Sequence, residues 1–169
     1  MNLESVIRTY FAGEKSEAAL IALAGLVALV MALWLWFSIR DPFARGLAAA
    51  MLLTALLGLG VGGGVYTRTD AQVRQLVELQ RADPGRFAAE EGPRIRQVVR
   101  SFRLYRAGYA IAIVLALVFV FLPGRPLFHG LAVGLLILAA LGLTIDHYAE
   151  ARAAGYVRAL ESGGAIAAP

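Results

Sequence analysis

Near the C-terminal end of the chain, the stretch "DHYAE" gathers Asp146, His147 and Glu150 into five positions. Asp146 and Glu150 are four residues apart, so on a helix their carboxylates share one face. Such a pair can bind a cation or share a proton. The competing reading is that three polar residues mark where a helix leaves an apolar layer, with Glu150 pairing an arginine of the loop between the second and third apolar stretches. His129 cannot join them, because the intervening residues of one helix span about 27 Å at about 1.5 Å per residue. Two histidines so far apart make no metal site. The chain has no cysteine, which removes disulfides, thiol nucleophiles and thiolate metal ligands together. The sequence therefore names no catalytic residue, no cofactor and no metal.

A second set is arginine: Arg94, Arg96, Arg100, Arg103 and Arg106. Arginines beside a membrane span hold anionic lipid headgroups, present a docking surface to a protein partner, or serve only as a topological signal. A third set is glycine. Residues 58–66, "GLGVGGGVY", carry five glycines in nine positions. They are not a phosphate loop, since no Lys-Ser/Thr follows them. In water such a run ends a helix, whereas between membrane helices glycine lets backbones approach closely. Gly58 and Gly62 form one pair, extended by Thr54, and Gly60 and Gly64 form another about 200° round the helix. The expectation is close packing on two sides. A locally unwound end lining a cavity and a purely compositional bias are the alternatives.

Composition says what must position these residues. Apolar residues make up 59% of the chain and charged residues 17%, with a mean hydropathy of +0.68, well outside the soluble balance of roughly half apolar and a quarter charged. Four stretches are nearly free of charge: 18–39, 46–66, 107–122 and 127–145. A bilayer needs about 20 mainly apolar helical residues, which three stretches supply and the third reaches by starting near Leu104. "IALAGLVALVMALWLWF" does not alternate as a barrel strand would. The expected fold is an all-α membrane protein with four transmembrane helices, at about 18–39, 46–66, 104–122 and 127–145. The first span is too long, and its leader too acidic, for a cleaved signal peptide.

Lysine and arginine set the orientation. Two lie in the N-terminal tail, nine in the 2–3 loop and two in the C-terminal tail, thirteen in all, against three in the other two loops. Both termini and the long loop are therefore expected in the cytoplasm. Tryptophan and phenylalanine gather at the outer helix ends and tyrosine at the inner ends, as interfacial belts. The pI near 9.8 then reflects a basic face toward an anionic leaflet rather than nucleic-acid binding.

Residues 67–103 read as a helical cytoplasmic extension. Thr69 or Asp70 is expected to cap a helix, Asp83-Pro84-Gly85 to break it, and Gly92-Pro93 to break the chain again before a long helix that enters the third span. Leu3, Val6, Ile7, Tyr10 and Phe11 suit an amphipathic helix lying in the membrane interface. Residues 161–169 read as a disordered tail, leaving 1–160 as one membrane domain. No ionisable group falls near the middle of any span, which argues against an ion-coupled transporter. The expected function is a small polytopic inner-membrane protein without catalysis, acting through protein or lipid contacts as an accessory, regulatory or immunity-type protein. Its partners are the bilayer, anionic headgroups, and a membrane or cytoplasmic protein or a second copy. An oligomeric small channel or facilitator is the alternative, and a membrane-embedded enzyme built on Asp146, His147 and Glu150 comes third.

Overall fold

The computed structural model describes residues 2–166, and every regular element among them is helical. The elements are α1 (Leu3–Ser38), α2 (Pro42–Leu57), α3 (Gly63–Ala82), α4 (Pro84–Val120) and α5 (Pro126–Ser162). A π-helical turn, Gly58–Gly62, joins α2 to α3, so that Pro42–Ala82 forms one rod of 41 residues. The four rods are about 54–62 Å long at about 1.5 Å per residue, roughly twice the hydrocarbon thickness of about 30 Å. Each is long and apolar enough to cross a membrane.

Short polar punctuation sets the rods. Asn2, Asp41 and Asp83 each accept a hydrogen bond from a backbone amide in the following first turn, which satisfies an orphan donor there. Pro42 and Pro84 follow their aspartates at the first helical position, where a missing N–H costs nothing. Gly124 turns the tight α4–α5 connection at φ +66°.

Along their length the rods divide into two halves. In the apolar half α1 packs on α2 and the π turn, α2 packs on α5, and α5 packs on α4, while α4 touches neither α1 nor α2. Only 6% of the apolar window of the α4 rod is buried, against 22–28% in the other three, so α4 hangs on the outside by its α5 face. The helices meet here through small residues such as Ala28, Ala32, Ala48, Gly130 and Ala132. In a lipid surrounding, itself as apolar as leucine, close backbone approach and dispersion would hold such contacts rather than the hydrophobic effect.

The charged half is built differently. There α1, α3, α4 and α5 close into a four-helix bundle around Ile7, Phe11, Leu76, Val77, Phe87, Ile95, Phe102, Tyr156 and Leu160. The largest fully buried side chains of the described residues are Phe11, Phe87, Ile7, Ile95, Leu160, Glu91 and Thr69, and all of them lie outside the four sequence-predicted spans. Each buried apolar side chain contributes about 1.5–3 kcal/mol where water is the alternative.

Four boundaries differ from the expectations above. Thr69 does not cap a helix: the rod passes straight through it, and its hydroxyl donates to the Val65 carbonyl at 2.6 Å. Gly92-Pro93 does not break α4, although an interior proline costs about 3 kcal/mol. Phe87, Glu91 and Ile95 are buried at four-residue spacing, and this packing holds the register across it. The N-terminal segment does not lie along an interface, because no breaker separates it from the first span, and Ile7, Tyr10 and Phe11 enter the bundle core. Residues 161–166 are not a disordered tail. Helix α5 runs to Ser162 and stops through paired bonds from Gly164 N–H to Glu161 O and Ala165 N–H to Leu160 O, with Gly164 at φ +68°. This αL stop folds Ile166 into the core, 5% exposed; residues 167–169 lie outside the described residues.

Candidate functional site

The glycine run splits into a packed and an open face. A Cβ on Gly58 would lie 2.8 Å from Gly25 Cα and 3.0 Å from the Ile21 carbonyl oxygen, and one on Gly62 would lie 2.6 Å from Ala22 N. These two positions are where the α1 backbone comes closest. Thr54, one turn before, is half-buried and returns its hydroxyl to the Ala50 carbonyl at 3.1 Å. Gly60 and Gly64 correct the expectation of packing on two sides: among the described residues no atom of a neighbouring helix lies within 4 Å of a Cβ on either. Their face points away from α1, and α2 has already turned its other side to α5 further up. Nor is the run unwound, since it remains helical with one widened turn.

The second close approach was missed in the sequence. Gly46 meets the Leu127 backbone, Gly130 meets the Phe43 backbone and Gly134 meets the Ala50 side chain, each so tightly that a Cβ would overlap its neighbour. Gly130 and Gly134 are themselves a G-x-x-x-G pair, so the signal was present in the sequence.

The five arginines separate by partner. Arg94 forms two bonds with the fully buried Glu91, at 2.5 and 2.6 Å, and its guanidinium lies 5.5 Å from the Phe11 ring centroid. Burial opposes the charge on Arg94, but the Glu91 bonds prevail and hold its pKa above the ordinary value. Arg96 bonds Glu161 at 3.4 Å, and Arg106 bonds Glu150 at 2.6 Å. Arg100 and Arg103 are exposed. Neither reaches a carboxylate within 4.0 Å among the described residues.

Asp146, His147 and Glu150 do not converge. Glu150 is turned to Arg106, the His147 ring lies edge-on to Tyr148, and the Asp146 Oδ2 is buried without a hydrogen-bond partner among the described residues. No three or more His, Asp or Glu side chains among those residues are placed to hold a metal ion. His129 bonds the Leu122 carbonyl at 3.0 Å, which ties the end of α4 to the start of α5.

A polar network inside the charged half was not foreseen. Tyr10 stacks on Tyr156 at 4.3 Å between centroids, Arg152 bonds Glu17 at 2.5 Å, and Glu14 faces Arg68 at 3.8 Å. Burial pushes the Glu14 carboxyl and both phenols above their usual ranges. Lys15 bonds Asp70 at 2.6 Å and Arg81 bonds Glu4, so ion pairs lace α1 to α3 and to α5. Each partner is visible in the sequence, but which charges meet across helices depends on rotations that periodicity does not give. The network joins ion pairs across helices, and its Tyr10, Arg152 and Tyr156 line an open cavity of about 350 Å³ beside Ser5 and Thr9. Comparison with protein-family models, curated proteins and solved structures returns no match to this chain.

Proposed function

We propose that the chain is a multi-pass protein of a cytoplasmic (inner) membrane, with both termini and the four-helix bundle on the cytoplasmic side. Its role is non-catalytic: the bundle meets headgroups or a partner protein, as an accessory, regulatory or immunity-type protein does. One observation carries this reading: all of the largest fully buried side chains sit in the charged half, and a water-type core of this kind supports a unit that stands outside the bilayer. The excess of lysine and arginine in the same half supports the orientation.

A second reading, an oligomeric channel or facilitator, draws on α4, whose span is almost bare and is free to meet a second copy. Reconstitution into liposomes separates the two. The first reading predicts ion and small-solute flux equal to that of protein-free vesicles. Flux that rises with protein density would overturn it in favour of the second.

A further inference from the structure

Between α4 and α5, on the outside of the charged half, runs a groove of about 350 Å³. Its floor is apolar, from Val99, Ala154 and Val157, and its rims carry Arg96, Arg100 and Arg158. Arg96, Val99, Arg100 and Arg103 recur at three- and four-residue intervals, so they form one stripe of α4 that leads from the groove toward the apolar half. Glu161 is the one acid lining it, and it is already bonded to Arg96. Arg100, Arg103 and Arg158 are exposed, with no carboxylate within 4.0 Å among the described residues.

Depth selects the ligand. Leu104, 73% exposed, begins the apolar span, and Arg103 and Arg100 lie about 1.5 and 6 Å below it along the helix. The headgroup layer of one leaflet is about 5–7 Å thick, so a hydrocarbon core that starts at Leu104 would set both residues at the level of the lipid phosphates. Arginine's planar fork matches a phosphate in bidentate fashion. Arg158 stands deeper, where it can meet a second negative charge on a larger headgroup. We infer that this groove binds the headgroup of an anionic phospholipid, with Arg103 and Arg100 on its phosphodiester and Arg158 on any further anionic group. The inference rests on the non-catalytic, lipid- or partner-contacting reading above and gives it a ligand class and residues.

The test is lipid titration of the delipidated, detergent-solubilised protein, read by native mass spectrometry, with phosphatidylcholine, phosphatidylglycerol and a diphosphatidyl lipid. Binding should rise in that order, by at least tenfold from the first to the last. The double variant R100A/R103A should lose about tenfold for the anionic lipids. R8A/R74A, which removes the same charge from the same half, should lose less than twofold. R100K/R103K should recover part of the loss, and equal melting temperatures confirm that the variants fold. Equal losses in both doubles, or no preference for anionic over zwitterionic lipid, overturn the inference. So does inorganic phosphate at millimolar concentration if it binds or competes as well as the lipid. Because binding is read in detergent, its failure leaves the flux result untouched, and flux in liposomes would overturn the parent reading without altering the binding order.

Discussion

Replacing Gly58 by alanine adds one carbon at the closest approach of two helices. The new Cβ would sit 2.8 Å from Gly25 Cα and 3.0 Å from the Ile21 carbonyl oxygen, while carbon atoms in contact prefer about 3.5–4.0 Å. Both neighbours are backbone and cannot rotate away, so α1 and the π turn must part by about 0.7 Å or more to reach that separation. Overpacking of this kind costs about 1–3 kcal/mol, and removal of a helical glycine returns about 0.5–1 kcal/mol; against two backbone neighbours that cannot rotate, the upper part of the first range applies and the net loss reaches about 2 kcal/mol. Gly64→Ala supplies the opposite sign. No atom of a neighbouring helix among the described residues lies within 4 Å of its Cβ, so the variant keeps only the propensity gain of about 0.5–1 kcal/mol. Unfolding in mixed micelles with increasing denaturing detergent measures both. If Gly58→Ala is as stable as the parent, or gains as much as Gly64→Ala, the packed-face assignment is wrong.

Arg94→Ala leaves Glu91 fully buried without its cation and should lower stability by about 3–5 kcal/mol, whereas the double replacement E91M/R94M should cost much less, because both charges leave together; thermal melts of the three proteins check this. Glu14, its pKa raised by burial, contributes stability that is present below the unfolded carboxyl pKa and is lost as pH rises through the folded value. Glu14→Gln should therefore exceed the parent in stability at neutral pH, with the difference vanishing on acidification; a difference independent of pH would contradict the assignment.

The four long apolar helices were legible because length and absence of charge can both be counted along one chain. So was the inner packing stripe: a four-residue spacing of glycines through Gly58 and Gly62 needs only one helix to be seen. Gly60 and Gly64 show the limit, since the same spacing recurs on a face that no neighbour reaches. Only the placement of α1 and α5 decides which glycine stripe is covered. Propensity alone makes Pro93 a breaker, but burial of Phe87, Glu91 and Ile95 along one stripe outweighs the hydrogen bond that proline removes. The final glycines were read as disorder because composition alone cannot tell a flexible tail from an αL helix stop that returns Ile166 to the core. Of the site residues, the arginines were visible as a group, but their division into bonded and unbonded members depends on the positions of Glu91, Glu150 and Glu161.

The most direct measurement of the central claim is a topology assay with reporters placed at the N-terminus, at the α3–α4 connection at Asp83 and at the C-terminus. An enzyme active only in the cytoplasm and a phosphatase active only outside it would be fused at each position. The account predicts that the cytoplasmic reporter is active and the phosphatase silent at all three positions. Phosphatase activity at the Asp83 position would put the bundle on the far side of the membrane and contradict it.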